Sequence, residues 1–173
     1  MNKSLSRRIA VLAIMVALLV VGKLALTMIP NVEVVSILCG IFALTFGFIC
    51  IIPTTIFCLI LGIYWGFSTW VIAYLIHFNL VCIVFALLGR KKLDNPLIVA
   101  LIIAVLTFGF GVVDGVLVTI LGGFNTLVTR FLAYYLNGVV FVLIHIASNC
   151  VIFLVVFKPL AKLLLSIKEK IKL

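Results

Sequence analysis

Acidic residues are almost missing from this 173-residue sequence: Glu33, Asp94, Asp114 and Glu169 are its only carboxylates, and histidine occurs twice, at His77 and His145. Acid–base chemistry has little to draw on, and the two histidines lack the HExxH spacing of a zinc protease. There is no GxxxxGK[ST] loop and no connection long enough to house one, so ATP-driven work would need a partner chain. A GxSxG nucleophile is absent as well. Only 10% of the residues are charged, which leaves no room for a soluble domain of any size. The five cysteines, Cys39, Cys50, Cys58, Cys82 and Cys150, are odd in number and form no CxxC pair. All lie in apolar stretches, where they read as small packing residues rather than functional thiols. The expectation is a chain without metal, cofactor or catalytic residues.

What is abundant is apolar sequence, at 67% of all positions. Stretches long enough to cross about 30 Å of hydrocarbon follow one another with little between them, and only helices satisfy every backbone group of a lipid-exposed segment. The expected fold is an all-α integral membrane protein, one domain with six spans at 9–28, 34–52, 53–64, 69–88, 96–121 and 131–157. The third is the weakest. Its 12 residues reach only about 18 Å, so it must be short, share residues with its neighbour across 46–53, or run on through Trp65 and Phe67. Span one follows Arg7 and Arg8 as a signal sequence would, but it exceeds the usual core of such signals and precedes five more spans, so it is expected to be retained. The tail, 158–173, reads as an amphipathic helix with Leu160, Leu163, Leu164, Ile167 and Ile171 set against interspersed lysines.

The positive charges argue for the short third span. Lys3, Arg7 and Arg8 precede span one, Arg90, Lys91 and Lys92 separate spans four and five, and Lys158, Lys162, Lys168, Lys170 and Lys172 follow span six. These eleven of thirteen basic residues share one face only if an even number of spans precedes Arg90. The positive-inside rule then makes that face, with both termini, cytoplasmic. The net charge of +9 thus speaks of orientation and anionic lipid heads, and no nucleic-acid partner is expected. The loops at 29–33 and 122–130 fall outside.

Intramembrane polar groups are few, and they gather in the outer half. Lys23 in span one, Asp114 in span five, and Arg130, Tyr134 and Asn137 at the opening of span six share a depth that suggests an outward-opening polar pocket; mutual pairing of Lys23 with Glu33 or Asp114 is the alternative. In Ile29-Pro30-Asn31-Val32-Glu33, Pro30 bars helix continuation, so Asn31 and Glu33 project from a defined turn, or Glu33 simply complements the dipole of span two. Trp70 and Tyr134 border this polar set and are candidate wall residues. His77 and Asn79 in span four, with His145 and Asn149 on one face of span six, are either interhelical hydrogen-bonding groups or ligand contacts. Ala13 and Ala17 in span one form a small-xxx-small pair that permits close approach of another helix.

Taken together, the basic N-terminus, Ala13-xxx-Ala17, Ile29-Pro-Asn-Val-Glu33, Gly47, Arg90-Lys-Lys92, and Tyr134-Tyr-Leu-Asn-Gly138 leading to His145-xxx-Asn149 resemble the substrate-binding S component of an energy-coupling factor (ECF) vitamin transporter. The resemblance covers almost the whole chain, and its loop and sixth-span motifs look like a subset of uncharacterised or cobalamin-type members. It implies high-affinity capture of a vitamin or related micronutrient at the cell membrane of a prokaryote. It further implies two ATPase subunits and a scaffold membrane subunit as partners, the scaffold packing on Ala13 and Ala17. Val140 and Val142 stand where that subset carries a proline and an acidic residue, so the resemblance does not name the substrate. Two other classes stay open on residues alone: a membrane-embedded enzyme on lipid substrates, and a structural or assembly subunit.

Overall fold

The computed structural model describes residues 3–29, 32–91, 95–121 and 127–171, and every regular element among them is helical. Helix α1 spans Lys3–Ala25, α2 Val35–Phe46, α3 Ile51–Trp65, α4 Thr69–Arg90, α5 Pro96–Leu121 and α6 Leu127–Ile171, with a 3₁₀ turn at Gly47–Cys50. Among the described residues, five helical runs are long and apolar enough to cross a membrane: Leu5–Ala25, Val35–Trp65, Thr69–Arg90, Pro96–Ile120 and Phe131–Lys170.

The second of these runs, 31 residues long, is folded back on itself. Residues 15 apart on one straight helix would stand about 22 Å apart. Instead, Cys39 Sγ lies 3.6 Å from Thr54 Oγ1, so α2 and α3 run antiparallel. The reversal has a local cause. Gly47 takes φ +79°, a conformation that side chains disfavour, and the four-residue 3₁₀ turn that follows redirects the chain into α3. Pro53 then sits in the first turn of α3, where its missing N–H has no intrahelical partner to lose. The third segment thus begins two residues earlier than expected and runs on through Trp65, and Gly66 at φ +91° ends it.

Other helix ends follow familiar chemistry. Thr27 Oγ1 donates to the Lys23 carbonyl at 2.9 Å, satisfying one of the open acceptors at the end of α1. Asn95 Oδ1 accepts from the Leu97 N–H at 3.0 Å with Pro96 at the first helical position, which fixes the start of α5. Helix α6 continues through Pro159, so the expected tail is an extension of the sixth helix and not a separate element. Its Ala161, Leu160 and Leu164 pack on the core, while Leu163 stays exposed.

Helix α2 is the central post, buried at Val35, Ser36, Ile37, Cys39 and Gly40 and on to Thr45. Phe85 of α4 and Phe153 of α6 close on Gly40, where an added Cβ would meet both rings at 3.1 Å. At Gly89 the approach is closer still, because a Cβ there would strike the backbone carbonyl of Leu44. Helix α1 leans on the bundle through Met15 and Leu19, leaving Ala13, Ala17, Ile14 and Leu18 exposed.

The α2–α3 reversal marks one end of the bundle, and basic side chains collect there. The Arg90 guanidinium lies 4.6 Å from the Phe48 ring centroid, and Lys168 Nζ donates to the Thr45 carbonyl at 2.6 Å. Arg8 borders the same end beside Phe46, Ile49 and Lys168. Lys23, Glu33, Trp65 and Trp70 stand at the opposite end.

Candidate functional site

At that opposite end the helices part around a cavity of about 470 Å³. Helix α1 contributes Gly22 and Lys23, the segment before α2 contributes Val32 and Glu33, and α3 and α4 contribute Trp65, Trp70, Tyr74 and His77. Phe110 of α5 and His145 of α6 complete the wall.

A hydrogen-bonded cluster lies at its base. Glu33 is buried, turned inward from the loop that precedes α2 instead of projecting outward. Ser36 Oγ, in the first turn of α2, donates to Glu33 Oε1, and His145 Nε2 approaches the same oxygen at 3.1 Å. His77 Nε2 lies 3.3 Å from Ser36 Oγ. Since the Ser36 proton is engaged on the carboxylate, His77 must donate to the serine oxygen, and the donors form one chain running His77, Ser36, Glu33, with His145 closing it from the other side. Burial disfavours the charged Glu33 carboxylate, but the hydrogen bond and electrostatic attraction of His145, with the hydrogen bond from Ser36, outweigh it and hold the carboxyl below its ordinary range. The position just ahead of α2 also favours an anion through the helix dipole.

This arrangement does not make a nucleophile. Ser36 is buried and outside the cavity wall, and its proton points to a carboxylate rather than to a histidine base. Among the described residues no three His, Cys, Asp or Glu side chains are arranged to hold a metal ion.

Above the cluster the wall is aromatic. Trp65 and Trp70 meet edge to face at 6.1 Å, and Trp70 and Tyr74 at 5.4 Å. Phe110 lies 5.6 Å from Tyr74 and 5.1 Å from His77. Lys23 Nζ donates to Tyr74 Oη at 3.1 Å and sits 5.1 Å from that ring's centroid.

The sequence-derived candidates divide between this cavity and its surroundings. Lys23, Glu33, Trp70, His77 and His145 come together in it. Asp114 and Asn137 do not; they line a second cavity of about 410 Å³ between α5 and α6, which shares Phe110 and His145 with the first. Asn137 donates to the Ala133 carbonyl of its own helix at 2.8 Å. Glu33 pairs with His145 and Lys23 with Tyr74, so neither of the expected pairings of Lys23, with Glu33 or with Asp114, forms the contact seen here. Asn79 bonds Thr55 of α3 at 3.1 Å and Asn149 bonds Thr107 of α5 at 3.0 Å, both of them interhelical contacts. Asn31, and the side chains of Arg130 and Tyr134, lie outside the described residues. Ser36, Tyr74 and Phe110 were not among the candidates. Serine and aromatic residues inside apolar helices carry no signal of their own, although Trp65 and Trp70, the only tryptophans, fall five residues apart.

No family model, curated protein or solved structure matches this chain. Fold and cavity define a class: a multi-pass membrane protein, helical throughout its described residues, with a cavity at the end opposite Arg8, Arg90 and Lys168.

Proposed function

We propose that the chain is a solute-binding membrane subunit that captures a small molecule from outside the cell in the Glu33–His145 cavity. In this reading it crosses the membrane six times, α2 and α3 being two short passes, with both termini and Arg90 on the cytoplasmic side. The gathering of Arg8, Arg90 and Lys168 at the end away from the cavity supports that orientation. The observation that carries the reading is the cavity itself. Its volume of about 470 Å³ lies in the range of small-molecule sites, and it combines an aromatic wall with a few convergent polar groups. Ionisable groups are costly inside a membrane bundle and commonly mark a solute pathway, and a lysine, a glutamate and two histidines border this open space.

The resemblance to ECF S components extends the proposal: the solute is a vitamin or related micronutrient, the energy comes from two ATPases, and a scaffold subunit docks on α1. The exposed Ala13 and Ala17 leave that face of α1 uncovered by the chain's own helices, as such docking requires. Catalysis by this chain is no part of the proposal.

The test is to denature protein purified in mild detergent and identify released small molecules by mass spectrometry. Wild type should release one compound in near-stoichiometric amount, and folded Trp70→Ala much less. Equal release from both would take the solute out of this cavity.

A further inference from the structure

We propose that the solute is an organic anion built on a flat aromatic ring, its acidic group met by Lys23 and its ring by Trp70 and Tyr74. The inference rests on the solute-binding reading above and narrows it to a chemical class.

Charge is the first argument. Among the described wall residues only Lys23 and Glu33 carry a formal charge besides what the histidines take up. Glu33 Oε1 accepts from both His145 and Ser36, which ties that oxygen into the cluster at the cavity base and offsets much of its charge. The Lys23 ammonium has three protons, and its contact with Tyr74 Oη uses one. A cationic solute would meet an ammonium that repels it and a carboxylate whose charge is already partly met by His145 and Ser36. An anion would meet a donor with capacity left, on a wall whose low polarity strengthens the contact.

The rings supply the second argument. Trp65, Trp70 and Tyr74 are packed edge to face, at interplanar angles of 65° and 72°, so successive rings turn different aspects to the cavity. Offset and edge-to-face arrangements are those that aromatic guests prefer. A polyhydroxylated solute would need many polar partners, whereas the wall offers Thr27, His77 and His145 beside its charged pair. A volume of about 470 Å³ suits one compact ring system with its acid group.

Both tryptophans of the chain line this cavity, so intrinsic fluorescence reports on it directly. Purified protein in detergent is titrated with benzoate, indole-3-acetate and phenyl phosphate, with the neutral amides of the two carboxylates, and with benzylammonium and cyclohexanecarboxylate, the unfolding temperature being followed in parallel. The aromatic acids should change the emission saturably and raise the unfolding temperature. Amides and amine should bind at least about tenfold more weakly, a difference expected for one hydrogen bond to a charged group, and the saturated acid about two- to tenfold more weakly because it lacks the ring contacts. Lys23→Gln should cost the acids about ten- to a hundredfold and leave the amides unchanged, and Lys23→Arg should restore the acids. Saturable binding that favours the amine or the amides overturns the inference alone, as does a folded Lys23→Gln that keeps its affinity for the acids. Saturable binding by no compound of any charge overturns the inference together with the solute-binding reading beneath it.

Discussion

Replacing Glu33 by glutamine removes a charge and leaves the shape almost unchanged, so it isolates what the buried carboxylate contributes. Glu33 Oε1 accepts from His145 Nε2 and from Ser36 Oγ, and both bonds are charge-assisted while the carboxylate is ionised. Hydrogen bonds to charged groups contribute about 1.5–3 kcal/mol and neutral ones about 0.5–1.5, so converting two of them should cost about 2–3 kcal/mol. The folded-to-unfolded ratio then falls by roughly thirty- to more than a hundredfold. Four of the five cysteines are buried, so once the partly exposed Cys150 is replaced by serine, a thiol-reactive fluorophore can follow the loss during heating or denaturant titration. Because His145 and Glu33 act as a pair, the double variant Glu33→Gln with His145→Gln should be less damaged than the sum of the singles, by about 1 kcal/mol or more. Additivity of the two single changes within about 0.3 kcal/mol would refute the pairing.

Three further outcomes are expected. Gly89→Ala drives a methyl into the Leu44 carbonyl and should destabilise by about 1–3 kcal/mol, whereas Gly109→Ala, which meets nothing within 4 Å, should be neutral or stabilise by up to about 1 kcal/mol in the same unfolding assay. Ala13→Trp with Ala17→Trp alters an exposed face of α1, so folding and solute binding should persist while co-purification with the transporter's scaffold subunit is lost; retained co-purification would clear that face of a docking role. In a background lacking the five native cysteines, a membrane-impermeant maleimide applied to whole cells should label Asn31→Cys and Asn125→Cys but not Lys91→Cys, and the reverse pattern would invert the proposed orientation.

How much of this was legible in the sequence differs from element to element. The long helices were, because unbroken apolar runs of such length admit few other structures. The α2–α3 reversal was half legible: the distribution of lysine and arginine demanded a short third segment, yet nothing in Phe46–Pro53 announced that Gly47 would take a positive φ and start the turn. The tail was expected as a separate amphipathic helix, whereas Pro159 is accommodated within α6, which continues to Ile171. In the site, Lys23, His77 and His145 stood out because ionisable groups are rare in apolar helices, and Glu33 because it follows Pro30 in the turn ahead of α2. Their pairing did not stand out. Glu33 and His145 are separated by 112 residues, and only the packing of α6 beside α2 brings them to 3.1 Å. Similar depth put Asp114 and Asn137 with Lys23 in the sequence reading, but depth along a helix says nothing of the side a residue faces, and these two open into the neighbouring cavity. Ser36 was invisible for a plainer reason, being one serine in an apolar helix whose role depends entirely on its neighbours.

On the proposed function, the cavity walled by Trp70, Tyr74 and His145 holds a solute. The most direct measurement is the unfolding temperature of the purified protein in the presence of B vitamins, their precursors and related micronutrients, in wild type and in Trp70→Ala. A ligand at a hundredfold excess over its dissociation constant adds about 2.7 kcal/mol to folded-state stability. The prediction is a marked rise for one compound or a closely related set with wild type, largely lost in the folded variant. No rise with any compound, or a rise equal in both proteins, would contradict the claim.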